Sequence, residues 1–511
     1  MFVKVNTAAL VGVSGYPVSV EVDVQRGMPS FNIVGLADMT IKEACQRIRP
    51  AVKNSGYPFP MDKVTVNLVP ADRPKVGSHF DLPVAIGIIL LGEIAAGADE
   101  IGFFGELSLD GRINPVQGIL PLVMAMREKG IRKVVVPKAN ADEAAILEDM
   151  TVLPAETLEQ VAEHVMGIIE IEPYVREQCT DRQDSGLDYA QVRGQENAKR
   201  AMMIAAAGNH GILMMGEPGC GKTMMARRLP SILPPLTYEE QLEITGIYSV
   251  AGLMSREEGI IRERPFRAPH HTITVAGLVG GGSRPRPGEL SLAHRGVLFL
   301  DELGEFRPAA IDSMRQPVEE GVIRLKRNYG EVTFPSQVMV VIASNPCKCG
   351  NLWSTKRICT CTAGQINSYK RKIMGPFADR VDIHLKMQPA DTGEFGDAGI
   401  TGREGFGMSS CEMREMVVSC RELQRERYSG TGYMANGELD EKGISDYCRL
   451  EKSGERMMEE AYGKLGLTMR GCSRIIKVAR TIADLEGSGS IREEHVAEAL
   501  SYRLSGEFYG G

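Results

Sequence analysis

Hydrophobic and polar positions alternate along the chain in three different ways, and each pattern predicts a different kind of domain. In the first 165 or so residues, short β-rich runs at 18–24, 64–68 and 134–137 alternate with helical stretches. Between residues 189 and 390, apolar strands alternate with amphipathic helices, a pattern typical of an α/β domain with a parallel sheet. From residue 409 onward, apolar positions recur with the 3.6-residue period of helices.

Two segments lack these patterns and are expected to separate the domains. An acidic, irregular stretch at 169–187 predicts a linker, and a Gly-rich, acidic stretch at 391–408 predicts a flexible loop. A chain of 511 residues is also too long for a single hydrophobic core. We therefore expect an N-terminal α/β domain at 1–168, a central α/β domain at 188–390 with a cysteine-rich insertion at 347–361, and a C-terminal helical domain at 409–511.

Composition and charge bear on the cellular location of the chain and on its partners. No apolar run reaches the roughly 18 residues that cross a bilayer, and the longest, at 82–91, contains Pro83 and is expected to be a buried helix. No secretory signal pattern is seen at the N-terminus, and of eleven cysteines seven are scattered and four are clustered. We expect a cytoplasmic protein without a membrane partner. The net charge of -7 means that any bound nucleic acid would need a local basic surface.

A glycine-rich run follows the apolar strand at 211–215 and precedes a helical stretch. This strand–loop–helix context is the one in which G-x-x-x-x-G-K-[ST] wraps the phosphates of a nucleotide with backbone N–H groups. Lys222 is expected to neutralise the β- and γ-phosphate oxygens, and Thr223 to bind Mg²⁺. The predicted ATP-binding loop consists of Gly216, Glu217, Pro218, Gly219, Cys220, Gly221, Lys222 and Thr223.

Two further strands end in polar side chains suited to hydrolysis. The run 296–300 is apolar and closes on Asp301 and Glu302, about 80 residues after the glycine-rich loop. This pattern predicts a Mg²⁺ ligand in Asp301 and a carboxylate that polarises the attacking water in Glu302. The next strand, at 338–343, ends in Ser344 and Asn345, and the amide of Asn345 is suited to orient that water.

Four cysteines lie directly after this last strand. Cys347 and Cys349 form one C-x-C pair, Cys359 and Cys361 form another, and nine residues separate the pairs. Four thiolates can close a tetrahedral Zn²⁺ site and hold an otherwise unsupported insertion rigid. The spacing is tighter than the usual C-x₂-C, so four reduced thiols in a surface loop remain an alternative.

These motifs resemble the AAA+ superfamily, and within it the YifB/ComM family of magnesium-chelatase-like ATPases. The resemblance covers nearly the whole chain and implies a ring, expected to be a hexamer, with ATP bound at subunit interfaces. It implies nucleotide contacts for Val192 and Gln195, which open and close a Val-Arg-Gly-Gln run. The sequence runs that carry the family resemblance are 192–195, 267–272, 287–294, 345–350, 376–382 and 479–485.

The resemblance also implies roles for single residues. Asn345 corresponds to the sensor-1 position, and Arg380 to the arginine finger that reaches the γ-phosphate of a neighbouring subunit. Arg470 corresponds to the sensor-2 arginine of a helical lid, with Arg474 as its substitute, and Arg327 is a second candidate for a contact between subunits. An ordinary surface salt bridge is the alternative for each arginine.

The N-terminal domain resembles the protease domain of Lon in the runs 105–118 and 125–137. Lon-type catalysis pairs a serine with a lysine base, but Leu120 occupies the expected lysine position. Ser78 without a base is a poor nucleophile. The resemblance therefore implies a Lon-like fold that has lost its peptidase and serves as a platform for the ring or for DNA.

Two basic segments could supply a DNA-binding surface. One runs from Arg262 to Arg286 and includes Arg284 and Arg286, and the other, at 324–330, includes Lys326 and Tyr329 and has the pattern of a hairpin. Lysine and arginine would bind phosphates, and Tyr329 could stack on a base. The family resemblance favours a DNA helicase that drives branch migration in recombination and natural transformation. A chelatase-type motor or chaperone that remodels a protein partner is one alternative, and an ATP-dependent protease, disfavoured by Leu120, is another.

Overall fold

The computed structural model describes residues 2–91, 97–176, 186–254, 259–282, 285–327, 330–375, 377–388 and 407–503. Within these ranges, no helix is long and apolar enough to cross a membrane. Four expectations concern residues wholly or partly outside them: Arg284, Tyr329, the linker predicted at 169–187, of which 177–185 are not described, and most of the loop predicted at 391–408.

A mixed β-sheet forms the N-terminal region. Among the described residues, seven strands pair in the order β3-β4-β2-β1-β5-β8-β9, and β6 and β7 form a separate ribbon. The strands are β1 (Phe2–Val11), β2 (Ser14–Gln25), β3 (Ser30–Val34), β4 (Lys63–Val69), β5 (Ile101–Phe103), β6 (Glu106–Leu107), β7 (Ile113–Asn114), β8 (Lys133–Pro137) and β9 (Thr151–Ala155). The helices are α1 (Met39–Asn54), α2 (Asp81–Ile89), α3 (Ile119–Glu128), α4 (Ala141–Ala144) and α5 (Leu158–Val165).

The hydrophobic pattern accounts for these N-terminal elements. Val18, Val20 and Val22 alternate along β2 and are buried, as expected where one face of a strand covers a core. The β-rich runs at 18–24, 64–68 and 134–137 lie in β2, β4 and β8, so these strand predictions are confirmed. The apolar run at 82–91 falls largely in α2, every residue of which is buried, as predicted.

A parallel sheet organises the central region. Its order is β11-β12-β15-β10-β16, and each neighbouring pair is parallel. The strands of this region, including one antiparallel hairpin, are β10 (Ile212–Gly216), β11 (Phe266–Arg267), β12 (Val297–Leu300), β13 (Val322–Arg327), β14 (Gly330–Pro335), β15 (Met339–Ser344) and β16 (Ile383–Met387). The helices are α6 (Glu196–Gly208), α7 (Lys222–Arg228), α8 (Tyr238–Ala251), α9 (Val275–Val279), α10 (Glu289–Leu292), α11 (Pro308–Glu320) and α12 (Ala363–Ile373).

The strand order brings the predicted motifs together. Strand β10 lies between β15 and β16, and β12 lies on the other side of β15. Because all these strands run in the same direction, the loops that follow β10, β12 and β15 meet at one edge of the sheet. Ligands of open parallel sheets bind at this carboxyl edge.

Helices form the C-terminal region, as the 3.6-residue pattern predicted. They are α13 (Ser410–Arg427), α14 (Glu441–Tyr447), α15 (Lys452–Leu465), α16 (Met469–Leu485) and α17 (Glu493–Ser501). Met413, Val417 and Ile475 belong to the same buried cluster as Ile212 of the central sheet. The chain thus combines α/β regions with a parallel sheet and a helical region that shares the core of that sheet.

The N-terminal and central regions also share a core. Leu242 of α8 and Ile260 pack with Leu122 and Met126 of α3. The turn between β1 and β2 contacts the hairpin, since a Cβ at Gly12 would lie 2.6 Å from the carbonyl oxygen of Thr333.

Candidate functional site

The glycine-rich loop leaves β10 and returns into α7 through backbone conformations that favour glycine. Gly219 and Gly221 have φ values of 85° and 93°, a region that side chains with a Cβ rarely adopt. Helix α7 then begins at Lys222. The loop therefore has the strand–turn–helix geometry that the spacing predicted.

Lys222 is held at the centre of this edge. Its Nζ donates to the carbonyl oxygens of Gly216 (2.7 Å) and Glu217 (2.8 Å) and to Oδ1 of Asn345 (3.2 Å). The side chain is buried, so its charge is compensated by these oxygens. The contact joins the loop after β10 to the end of β15.

Thr223 and Asp301 meet across the ends of β10 and β12. The Thr223 hydroxyl donates to Oδ2 of Asp301 at 3.0 Å. A hydroxyl and a carboxylate are hard oxygen donors of the kind that Mg²⁺ prefers. This donor set fits the predicted Mg²⁺, and the roles of Thr223 and Asp301 as its ligands stay a prediction.

Glu302 has an unusual backbone conformation beside Asp301. Its φ and ψ are both 53°, in the left-handed region, and its N–H donates to Oδ1 of Asp301 at 3.0 Å. A non-glycine residue in this region carries about 1–3 kcal/mol of strain, and such residues cluster at functional sites.

These side chains line an open cavity at the carboxyl edge of the sheet. Its lining is formed by Pro218, Gly219, Gly221, Lys222, Thr223, Met224, Asp301, Glu302, Ser344 and Asn345. The cavity is therefore lined by the glycine-rich loop (216–223, called the phosphate loop below), by both acidic residues and by Asn345, the sensor-1 candidate.

A second cavity shares Glu302 and Asn345 with the first. His271, Glu305, Lys348 and Tyr369 complete its lining. Lys348 was not among the predicted site residues, although the Asn-Pro-Cys-Lys-Cys-Gly run contains it. The sequence feature that could have indicated Lys348 is its position three residues after Asn345.

The predicted arginines lie away from the first cavity. The Arg380 guanidinium forms an ion pair with Glu319 of α11, with Nε and Oε1 2.7 Å apart. Arg470 is exposed in the first turn of α16. Neither belongs to the described lining, as expected for Arg380 if it acts on a neighbouring subunit.

Arg474, the substitute for Arg470, is engaged within the chain. It donates to Oδ1 of Asp382 and to the carbonyl of Arg380, each at 2.5 Å. Asp382 also contacts His210 at 2.9 Å. Burial opposes ionisation of Asp382, but the hydrogen bond from His210 and the charge of Arg474 together lower its pKa. Arg474 thus links α16 to the central sheet.

Val192 and Gln195 are both separate from the cavity lining. Val192 is wholly buried in the central core, and Gln195, with a φ of 61°, donates from Nε2 to the carbonyl of Gln388 at 2.6 Å. Their contact with a nucleotide stays a prediction.

The four clustered cysteines converge. The Sγ atoms of Cys347, Cys349 and Cys359 lie 3.4–3.7 Å apart, and that of Cys361 lies within 4.8 Å of the others. Four sulfur atoms around a tetrahedral Zn²⁺, each about 2.3 Å away, would be about 3.8 Å apart. The thiol arrangement therefore fits Zn²⁺.

The local environment also prepares one of these thiols to lose its proton. Backbone N–H groups of Asn351 and Thr360 donate to Cys349 and lower the pKa of this thiol to about 5. A thiolate is the form that binds a metal.

The predicted hairpin is formed by β13 and β14, and one face of it presents two exposed cations together with Glu331, which pairs with Lys326. Ile323 and Phe334 are buried in the core, whereas Arg324 and Lys326 are exposed on the opposite face. Arg286 is exposed too, and its backbone pairs with Gly281. Arg327 lies in the last position of β13. The role of Arg286 and Lys326 in DNA binding stays a prediction.

A parallel sheet in this order, with a glycine-rich loop after β10 and an acidic pair after β12, has the architecture of the AAA+ class of P-loop proteins. Comparison with protein families agrees with this class. Residues 188–395 match the family described as magnesium chelatase, subunit ChlI. Residues 20–140 match subunit ChlI of Mg-chelatase, and 407–503 match the ChlI C-terminal family.

Individual relatives match over the full chain. Competence protein ComM of Haemophilus influenzae is 39% identical over 507 residues, covering 98% of this chain and 97% of that protein. Protein YifB of Escherichia coli, which is uncharacterised, is 39% identical over 503 residues, covering 98% and 96%. An uncharacterised protein of Mycobacterium tuberculosis is 38% identical, covering 98% of each. The chain therefore belongs to the YifB/ComM family of magnesium-chelatase-like proteins.

Proposed function

We propose that the chain is an ATP-hydrolysing AAA+ motor that works as a homo-hexameric ring on DNA. The observation that carries the ATPase part is the meeting of Lys222, Thr223, Asp301, Glu302 and Asn345 around one cavity. Asp301 and Glu302 follow β12, Asn345 follows β15, and the remaining two begin α7 after the glycine-rich loop. Each side chain has the chemistry that its proposed step requires.

In this proposal the phosphate loop binds ATP in its ground state. Lys222 exchanges its contacts with the carbonyls of Gly216 and Glu217 for phosphate oxygens. Thr223 and Asp301 hold Mg²⁺, which supplies charge neutralisation on the phosphates. Asn345, already 3.2 Å from Lys222, contacts the terminal phosphate or the attacking water.

Hydrolysis then requires a base and a cation that act in the transition state. The carboxylate of Glu302 polarises the attacking water, and Arg380 of a neighbouring subunit approaches the terminal phosphate. Arg470 is assigned to the sensor-2 contact. A cation delivered from another subunit makes hydrolysis depend on assembly of the ring.

DNA is the proposed substrate of the motor. Support comes from the family relationship to competence protein ComM and from two exposed cations of the hairpin, Arg324 and Lys326. Arg284 and Arg286 are two further cations proposed to bind DNA. The specific activity proposed is strand unwinding or branch migration during recombination and natural transformation.

The N-terminal region is proposed to be a Lon-like platform without peptidase activity. Leu120 is wholly buried at the start of α3, where Lon carries its lysine base. Lys75, three residues before Ser78, donates to the carbonyls of Gly35 and Pro70 and is thus engaged by the backbone.

The four clustered thiols at 347–361 are proposed to form a Zn²⁺ site.

A motor that remodels a protein partner is the second candidate, because all three matching family models describe a magnesium-chelatase subunit. ATP turnover with and without single-stranded and forked DNA, across a salt series, separates the two. The DNA motor predicts stimulation that weakens steeply as salt rises, since phosphate contacts release counterions. Equal turnover with and without either DNA at low salt would favour the protein-remodelling motor.

A further inference from the structure

The cysteine insertion at 347–361 starts inside the nucleotide site. Asn345, at the end of β15, accepts the hydrogen bond from Lys222. Two residues later Cys347 is wholly buried, with its sulfur 3.4 Å from that of Cys349. The thiol cluster and the sensor candidate therefore share one short stretch of backbone.

The insertion also packs directly against the phosphate loop. A Cβ at Gly350 would lie 2.7 and 2.8 Å from side-chain carbons of Pro218, and Gly350 has a φ of 81°. Glycine is required here by the close approach as well as by the conformation. The cluster thus contacts the nucleotide site on two sides, through Asn345 and through Pro218.

Lys348 projects a cation toward the same site. It lies between the two cysteines of the first pair and lines the second cavity together with Glu302, Asn345 and His271. A cation here is suited to neutralise charge that develops on a terminal phosphate. Its position depends on the two thiols that flank it.

Regular structure contributes little to the shape of the insertion. The structure describes residues 347–361 completely and assigns them no helix or strand. Side-chain contacts therefore contribute much of the shape. The Ser354 hydroxyl accepts hydrogen bonds from two backbone N–H groups that follow it in the insertion, and the four thiols and Trp353 provide further contacts. The indole of Trp353 packs on the central core with the ammonium of Lys386 4.8 Å from its ring centre.

We infer that Zn²⁺ bound by the four cysteines fixes Lys348 and Asn345 beside Glu302, and that zinc occupancy controls the rate of ATP hydrolysis more than the affinity for ATP. The inference rests on the ATPase part of the proposed function. Lys222 and Thr223, which are proposed to hold the ground-state phosphates, begin α7 after the glycine-rich loop and lie outside the insertion. Groups that act only in the transition state change turnover and leave binding nearly unaltered.

The first test removes zinc from the full-length protein with 1,10-phenanthroline, in buffer that retains Mg²⁺. Elemental analysis measures zinc per chain, and emission from Trp353, the one tryptophan of the chain, reports the shape of the insertion. We expect one zinc per chain before treatment. Removal should lower turnover at least about tenfold, change ATP affinity less than about threefold, and be reversed by added Zn²⁺.

The second test uses variants that separate metal binding from catalysis. Cys361→Ser should lose zinc and turnover together, whereas Cys411→Ser, an exposed cysteine of α13, should retain both. Lys348→Ala should retain zinc and the tryptophan emission but lose turnover. If Cys361→Ser does not fold, zinc removal and Lys348→Ala still decide the question.

The possible failures are distinct. Wild-type protein that hydrolyses ATP equally well with and without zinc, or that is purified with far less than one zinc per chain, would overturn this inference alone. Normal turnover by Lys348→Ala would overturn the role of that lysine as the link. Wild-type protein with no ATP turnover at all would overturn the proposed function and this inference with it.

Discussion

Glu302 and Lys222 occupy the same cavity, but they act at different stages of the proposed reaction. Lys222 is proposed to exchange its contacts with two backbone carbonyls for phosphate oxygens when ATP binds, and would thus contribute in the ground state. Glu302 is proposed to act on the attacking water, and would thus contribute in the transition state. Substitutions of the two side chains should therefore distinguish ATP binding from ATP hydrolysis.

Glu302→Gln is expected to bind ATP with nearly unchanged affinity and to hydrolyse it at least about 100-fold more slowly. Lys222→Ala is expected to lose ATP binding, because the phosphate charge is no longer neutralised. A fluorescent ATP analogue measures affinity, and phosphate release measures turnover. Wild-type turnover by Glu302→Gln would show that another group polarises the water.

At the residue scale, the sequence predicted what depends on local spacing. Lys222, Thr223, Asp301 and Asn345 follow strands with recognisable apolar patterns, and parallel pairing alone brings strand ends together. The left-handed conformation of Glu302 and the second cavity could not be predicted. They depend on how the segment after β15 packs on the loop after β12, which local spacing does not encode.

Among the elements, the β13–β14 hairpin carries the most direct structural support for a DNA contact. Its buried face, with Ile323 and Phe334, anchors it in the core, and its exposed face presents Arg324 and Lys326. Its register pairs Lys326 with Glu331. Gly12 of the N-terminal region contacts the backbone of Thr333, so movement of the hairpin and of that region would be coupled.

Lys326→Ala is expected to reduce the ratio of ATP turnover with DNA to turnover without DNA. The slope of that stimulation against log salt should also become shallower, since each lost phosphate contact reduces the slope by about one. Lys464→Ala is a matched control, because this lysine is exposed on α15, far along the chain from the hairpin. Equal losses in the two variants would contradict a specific role for the hairpin.

Element prediction succeeded where the hydrophobic period was clear. The strands β2, β4, β8, β10, β12 and β15, the buried helix α2 and the C-terminal helices follow from that period. The engagement of Arg474 with Asp382 did not follow from it. A charged side chain on an amphipathic helix shows no partner in the sequence when that partner lies about 90 residues away.

At the scale of the whole molecule, the position of Arg380 bears on assembly. Arg380 forms an ion pair with Glu319 and is not among the described residues that line the proposed ATP site of its own chain. A ring would bring this arginine to the site of the next subunit. Hydrolysis would then require both subunits.

Mixing two inactive variants tests this dependence. Arg380→Ala keeps the ATP site intact but lacks the proposed arginine finger. Lys222→Ala keeps the arginine finger but should not bind ATP. Together they are expected to recover part of the wild-type turnover, because some interfaces combine the intact halves. Lys222→Ala/Arg380→Ala is the control, since it offers neither half and should restore nothing. If the mixture turned over ATP no faster than the double variant, action between subunits would be contradicted.

The most direct test of the DNA motor is the unwinding of a labelled forked duplex. Wild-type protein with ATP and Mg²⁺ is expected to release the displaced strand. Glu302→Gln, which should still bind ATP and DNA, is expected to leave the fork intact, as is wild-type protein with a non-hydrolysable ATP analogue. Wild-type protein that hydrolyses ATP but leaves forked and branched duplexes intact at low salt would contradict a DNA motor.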